Sequence, residues 1–127
     1  MSQGNGRRVT FQIGDVAVQA EWNDSETARK IRDALPLEAT GSYWGGEIYF
    51  RIPVRASLEG DAQDVVEPGT VAYWAEGQCL CIFWGPTPAS HGSECRAASE
   101  VNVVGRVLNP SVLPQLKARK VRVEAAE

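Results

Sequence analysis

The chain has 127 residues, of which 43% are hydrophobic and 23% charged, and this suits one globular domain with its own core. Thirteen basic and sixteen acidic residues give a net charge of -3, so no overall positive field draws the protein towards nucleic acid or anionic lipid. The amino terminus is polar, and no segment approaches the ~18 apolar residues of a membrane span. We therefore expect a cytoplasmic protein with neither nucleic-acid nor membrane partners.

The three cysteines, Cys79, Cys81 and Cys95, are an odd number, which argues against a disulfide framework. One residue separates Cys79 from Cys81 in a strand-like segment, so their side chains project in parallel from one face, about 7 Å apart. This arrangement suits burial better than a bridge between the two sulfurs. We expect reduced, partly buried thiols.

The amino-terminal part alternates apolar and polar residues in two runs, 9–13 and 16–21, joined by a Gly-Asp turn. This pattern predicts a β-hairpin. Cap residues at 23–25, apolar residues at helical spacing and a proline at 36 then predict one amphipathic helix, about residues 25 to 35. A short strand is expected at 37–40.

The segment 47–54 predicts a strand with two different faces. One face is apolar and carries Ile48, Phe50, Ile52 and Val54. The opposite face carries Glu47, Tyr49 and Arg51.

A polar stretch at 56–67 is expected to be a surface excursion. Two strands follow, at 71–74 and 79–84, joined by a short connection that contains a glycine. The second of these strands is apolar on both faces, which predicts a central position in the sheet.

The segment 85–99 is expected to be a long irregular loop, and loops of this length in small domains are often functional. Strand character resumes at 101–107. A helical turn is predicted at about 110–117, and a last strand at 121–123. Eight or nine short strands, many short connections and one main helix indicate a mainly β barrel.

Three runs of the sequence are distinctive: WGGEIYFRIPV at 44–54, VEPGTVAYWAEGQCLCIFWGPTP at 66–88 and AASEVNVVGRV at 97–107. They resemble the small cyclophilin-like family, single-domain microbial proteins of unassigned function. The resemblance implies a closed cyclophilin-like barrel of about eight strands, capped by helices. On this basis residues 9–124 form the single domain, between a flexible tail at 1–8 and a short tail at 125–127.

A more distant resemblance is to true cyclophilins, the prolyl isomerases. Arg51, in the segment Phe50-Arg51-Ile52, is the position to which the resemblance would carry their catalytic arginine. Their Gln-Phe-Phe strand corresponds loosely to residues 81–83, and the chain has no equivalent of their Gly- and Asn-rich loop.

Two residues are candidates for catalysis, Arg51 and Glu47. A cation such as Arg51 could weaken the resonance of a prolyl amide, or it could pair with Glu47 on an exposed strand face. Glu47 stands beside a dense aromatic strand, where desolvation would raise the pKa of its carboxyl and make it an acid or base. Alternatively, hydrogen bonds from the turn at 45–46 or from Arg51 satisfy this carboxylate.

Aromatic and polar residues near these segments are candidates for ligand binding. Arg96 could meet an anionic group of a ligand or tie the loop to surface carboxylates. His91 could join the cysteines in chemistry, but no spacing of His and Cys fixes a set of metal ligands or a nucleophile with its base. We therefore predict no metal and no cofactor. The ligand-binding candidates are Trp44, Tyr49, Tyr73, Phe83, Trp84, Thr87, His91 and Arg96.

The function expected from these features is binding of a small molecule or short peptide in an aromatic-lined groove on the barrel. One alternative is an enzyme that uses Arg51 and Glu47, either a peptidyl-prolyl isomerase or an isomerase or lyase acting on a metabolite. A second alternative is a structural or interaction subunit. The sequence leaves open whether the protein is an enzyme and whether it forms a homodimer.

Overall fold

The computed structural model describes residues 7–126. Most of the expected tail at 1–8 therefore lies outside the described residues, as does Glu127; Arg8 already begins the first strand. The elements in chain order are β1 (Arg8–Ile13), β2 (Val16–Trp22), α1 (Glu26–Asp33), β3 (Leu37–Thr40), β4 (Ser42–Tyr43), β5 (Glu47–Arg51), β6 (Gln63–Val66), β7 (Thr70–Trp74), β8 (Cys79–Phe83), β9 (Cys95–Val107), a 3-10 turn (Pro110–Gln115) and β10 (Lys120–Ala125).

Nine of the strands form one antiparallel ladder in the order β3-β10-β1-β2-β9-β7-β8-β5-β4, and β6 pairs with β9 outside this path. The two ends of the ladder, β3 and β4, are successive along the chain and are separated by Gly41 alone. A single residue is too short to connect two paired strands of a hairpin, and within residues 7–126 no ladder pairs β3 with β4. The sheet of the described residues is therefore not closed, and the prediction of a closed barrel of about eight strands is not supported.

Helix α1 is shorter than the predicted 25–35. Ser25 caps it by accepting a hydrogen bond from the backbone of Ala28, and Ala34 is already the residue that ends it. The carboxy-terminal turn is of the 3-10 type and also stops earlier than expected, at Gln115. These two are the helical elements of the described residues, and neither is long and apolar enough to cross a membrane.

One face of the sheet encloses the larger hydrophobic core, called here the main core. It receives the apolar sides of β5 and β8, including Ile48, Phe50, Leu80 and Ile82, and also the fully buried Trp22. Strand β8 lies between β5 and β7, and all five of its residues are buried. The predicted division of faces on β5 and the central position of β8 are thus confirmed.

The opposite face of the sheet carries a second core, formed beneath a two-stranded segment. This segment consists of β6 and residues 95–101 of β9, and is called here the ribbon. The second core contains Val66, Ala72, Cys79, Cys81, Phe83, Cys95, Ala97 and Val101. All three cysteines are free and lie in it, and they are more completely buried than predicted.

The ribbon corrects two predictions, the surface excursion through 67 and the irregular loop through 99. Both segments have only weak alternation, and they become strands because each supplies the other with backbone partners. The pairing is irregular, since Gln63 lies opposite Val101 whereas Val65 lies opposite Arg96. The extra residues of β9 form a bulge at 97–100, a device that redirects side chains.

Candidate functional site

A cavity of about 220 Å³ lies between the ribbon and the face of the sheet that carries the second core. We call it the pocket. It is lined by Trp44, Glu47, Tyr49, Trp74, Cys81, Ala97, Ala98 and Val101. Most of this lining is aromatic or aliphatic, so the pocket offers a largely apolar environment with few polar groups.

The turn before β5 brings Trp44 and Glu47 to the pocket. The backbone N–H of Trp44 donates to the carbonyl oxygen of Glu47 at 3.0 Å. Gly46 packs against the backbone of Gly85, where a Cβ atom would lie 2.5 Å from the Cα of Gly85. This close approach requires a glycine, and it fixes the start of β5 beside the end of β8.

Glu47 is the buried charged residue of the pocket. The residue is 5% exposed, and among residues 7–126 its Oε1 atom has no hydrogen-bond partner. Desolvation raises the pKa of this carboxyl to about 7, and a hydrogen bond with the Cys81 thiol opposes part of the rise. The predicted desolvation is therefore present, and neither the expected pairing with Arg51 nor capping by the 45–46 turn satisfies Oε1.

Trp74 forms the wall that faces the ribbon. Its Nε1 donates to Oγ of Ser99 at 2.6 Å, and the Ser99 hydroxyl donates to Glu76 at 3.1 Å. The ring lies over Gly77, where a Cβ atom would overlap its six-membered ring. Trp74 is thus held from both sides and is preorganised as a contact surface.

The ribbon itself is fastened by a group of polar contacts around Arg96. Its guanidinium contacts Asp64 at 3.0 Å and Glu94 at 3.0 Å, and its backbone oxygen accepts a hydrogen bond from the buried Thr87 hydroxyl. Hydrogen bonds from the backbone of His91, from that of Gly92 and from Arg96 lower the pKa of Glu94 to about 2. Arg96 was expected either to meet an anionic group of a ligand or to pair with surface carboxylates, and the structure shows the second arrangement.

The structure brings three of the sequence-predicted site residues to the pocket: Trp44, Glu47 and Tyr49. Thr87 and Arg96 lie behind it, in the anchor of the ribbon. Arg51 is exposed at the end of β5, opposite Cys79, and does not line the pocket. Glu47 and Arg51 share a strand face, but they do not share this cavity.

Four other candidates are directed elsewhere. Tyr73 is buried in the main core, and its hydroxyl donates to the carbonyl oxygen of Val54 at 2.6 Å. Phe83 is fully buried in the second core, and Trp84 packs against the main core with an edge contact to Tyr43. His91 is exposed.

Five lining residues were not among the predicted site residues: Trp74, Cys81, Ala97, Ala98 and Val101. Trp74 could have been found from alternation, because it follows Tyr73 on β7 and must point to the opposite face. Cys81 required the register, which places it directly across from Tyr49. The β9 residues reach the pocket because of the bulge, and the sequence pattern does not predict this bulge.

A larger and more open depression, about 650 Å³, lies beside β2 and β9. Its charged lining includes Glu21, Glu67 and Arg106, none of which is buried. Charges of both signs that stay in contact with water are already solvated and gain little from a ligand. The smaller pocket is therefore the better candidate for a binding site.

The chemistry available in the pocket follows from its few polar groups. Glu47 can accept a hydrogen bond or exchange a proton, and the Cys81 thiol, whose pKa desolvation and the nearby Glu47 raise, stays protonated. One carboxylate and one protonated thiol do not make a metal site, and no group of three metal-ligating side chains occurs between Arg7 and Ala126.

The solved structures include a relative of this chain. The solution structure of a hypothetical protein from Archaeoglobus fulgidus is 38% identical, has a TM-score of 0.81 and aligns over 98% of each chain. No curated protein matches the sequence. The sequence pattern of the family described as Cyclophilin-like matches residues 7–124, nearly the whole chain. The protein belongs to the cyclophilin-like family.

Proposed function

We propose that the protein binds a small organic molecule in the pocket, with Glu47 as the polar anchor. The observation that carries this proposal is the unpartnered Oε1 of Glu47 within an apolar cavity. An unsatisfied buried polar group costs about 1–3 kcal/mol. A ligand that donates a hydrogen bond to Oε1 recovers part of that cost, while Trp44, Tyr49 and Trp74 contact its apolar part.

The size of the pocket favours a small molecule over a peptide. Its volume is about 220 Å³, whereas sites for drug-sized ligands usually span ~300–1,000 Å³. A molecule with a single ring fits this space, and a peptide could insert no more than one side chain. Of the two ligand classes expected from the sequence, we therefore propose the small molecule rather than the short peptide.

The test is a fluorescence titration with cyclohexanol, phenol and benzyl alcohol, since Trp44 and Trp74 both line the pocket. Ala98→Phe fills the pocket from an exposed position on β9, and Glu100→Phe adds the same ring at an exposed position that does not line it. We expect saturable binding to the wild type and to Glu100→Phe, and loss of binding in Ala98→Phe. Equal binding by all three proteins, or binding by none, would contradict the proposal.

A second candidate function is proton-transfer catalysis by Glu47, as in an isomerase or lyase. It is favoured by the pKa of about 7, which lets the carboxyl take up and release a proton near neutral pH. Prolyl isomerisation has less support, because Arg51 lies outside the pocket. Turnover of a proline peptide that is lost in Arg51→Ala but kept in Glu47→Gln would favour the prolyl isomerase instead.

The proposal of a structural subunit finds little support. Within residues 7–126 the exposed large hydrophobic side chains are Leu58 and Val65. Two such side chains fall short of the contiguous apolar patch that a constitutive interface needs.

A further inference from the structure

We infer that the ligand is an organic cation, specifically a protonated alkylamine whose N–H donates to Glu47 and whose carbon skeleton lies among the aromatic side chains. This inference rests on the proposed function, because it names the class of molecule that the pocket selects. It follows from three features of the pocket: its charge, its aromatic walls, and the Oε1 atom of Glu47, which has no hydrogen-bond partner among the described residues.

The charge of the pocket has one sign. Glu47 is the carboxylate in its lining, and none of the described lining residues is Arg, Lys or His. The nearest cation along the strand, Arg51, is exposed and lies two residues beyond Tyr49. An anionic ligand would therefore face a buried carboxylate with no compensating group, whereas a cation would supply the missing counter-charge.

The aromatic walls favour the same class of ligand. Trp44, Tyr49 and Trp74 line the cavity around Glu47, and the faces of Trp and Tyr attract ammonium groups through their quadrupoles. Ala97, Ala98 and Val101 complete the wall from the ribbon and suit aliphatic carbon. An alkylammonium ion presents both the charge and the apolar surface that these side chains match.

The hydrogen-bonding of the site selects an amine over a quaternary ammonium ion. Oε1 of Glu47 is a free acceptor in the described part of the chain, and among ammonium ions only one that carries an N–H can donate to it. The indole N–H of Trp74 is occupied by Ser99, so it does not compete for this oxygen. A protonated primary, secondary or tertiary amine therefore complements the site better than a tetraalkylammonium ion.

The experiment compares cyclohexylamine, which is protonated at pH 8, with cyclohexanol, its neutral analogue of nearly equal shape, and with tetramethylammonium. The wild type should bind the amine at least tenfold more tightly than the alcohol, and more tightly than tetramethylammonium. Glu47→Gln should reduce the tenfold preference for the amine over the alcohol to less than threefold, because glutamine carries no charge. Glu100→Gln, which removes an exposed carboxylate outside the pocket, should keep the full preference.

The outcomes separate the two proposals. Binding of the alcohol as tight as that of the amine, or a preference that survives Glu47→Gln, would overturn the inference and leave the proposed function intact. If tetramethylammonium binds as tightly as the amine, the inferred hydrogen bond from the ligand N–H to Glu47 is wrong. If no probe binds, or if Ala98→Phe weakens the binding of none of them, the proposed function itself is overturned.

A pH series on the wild-type protein keeps the test valid if Glu47→Gln folds poorly. The titratable and charged groups near Glu47 are Tyr49 and Arg51 on its own strand and the thiols of Cys79 and Cys81 on β8; the pocket residues of β9 carry no titratable group. Cyclohexylamine stays charged between pH 8 and pH 5.5, so the preference over cyclohexanol should fall at least fivefold as Glu47 takes up a proton. A preference that is constant over this range would overturn the inference.

Discussion

The indole N–H of Trp74 donates to the hydroxyl of Ser99 at 2.6 Å and thereby joins the sheet to the bulge of the ribbon. The two residues belong to strands β7 and β9, so this hydrogen bond spans the rim of the pocket. It holds the walls at a fixed separation without using the carboxylate of Glu47.

Removing this hydrogen bond should loosen the pocket more than the fold. We expect Ser99→Ala to lower the free energy of unfolding by about 0.5–1.5 kcal/mol and to weaken cyclohexanol binding, because Trp74 is no longer fixed from the ribbon side. Urea denaturation and the fluorescence titration measure the two effects. Ser93→Ala, at an exposed loop position, should change neither; equal effects of the two variants would contradict this role of Ser99.

Gly77 supports Trp74 from the other side. A Cβ atom at residue 77 overlaps the indole ring, whereas a Cβ at Gly60 meets nothing within 4 Å. Gly77→Ala should therefore displace Trp74, change the tryptophan emission and cost about 1–3 kcal/mol of stability. Gly60→Ala is the matched control and should leave emission and stability nearly unchanged. An unchanged emission in Gly77→Ala would show that the ring does not rest on this glycine.

The raised pKa of Glu47 makes stability depend on pH. Between an ordinary value of 4.5 and the folded value of about 7, the unfolded chain loses the proton while the folded chain keeps it. The contribution of Glu47 is fully present below pH 4.5 and is lost as the pH rises to about 7.

Glu47→Gln should remove this dependence, because glutamine carries no proton to lose. At pH 8 the variant should be more stable than the wild type by up to about 3 kcal/mol, and near pH 4.5 the two should be similar. Urea denaturation at both pH values measures the difference in the free energy of unfolding between the two proteins. The other titratable groups are the same in both, so their contributions cancel. A difference that does not change with pH would contradict the buried, unpartnered state of this carboxyl.

The ion pair between Arg96 and Glu94, which fastens the ribbon, can be tested by titration. Hydrogen bonds from the backbone of His91 and from Arg96 hold the pKa of Glu94 at about 2. Replacing Arg96 by Gln removes the charged donor and leaves the backbone donors, so the Glu94 pKa should rise but stay below its ordinary value of 4.5. A side-chain NMR titration follows this change. An unaltered Glu94 titration in Arg96→Gln would show that the ion pair does not act in solution.

The sequence was sufficient to predict the elements with strong periodicity. Ile48, Phe50 and Ile52 alternate cleanly with polar residues, so the two faces of β5 followed from the period of a strand. Burial on both faces of β8 likewise predicted its central place. The same alternation identified Glu47 and Tyr49 as members of one face.

The ribbon and the open ladder could not be predicted in this way. Val65 and Val66 stand next to each other, and the bulge at 97–100 interrupts the pattern of β9, so pairing between these distant segments decides their structure. Gly41 separates the two end strands of the ladder, β3 and β4. This break could not be predicted, because it follows from the pairing of β3 with β10 and of β4 with β5. The pocket needs the ribbon as well as the sheet, which is why Ala98 was missed.

The most direct test of the account is a ¹³C NMR titration of the Glu47 side-chain carboxyl in the free protein and with saturating cyclohexylamine. In the free protein the carboxyl should titrate at about 7. With the amine bound it should titrate at least one unit lower, because the ammonium stabilises the ionised form. A midpoint near 4.5 in the free protein, unchanged by the amine, would contradict both the buried state of Glu47 and its role as the anchor of a cation.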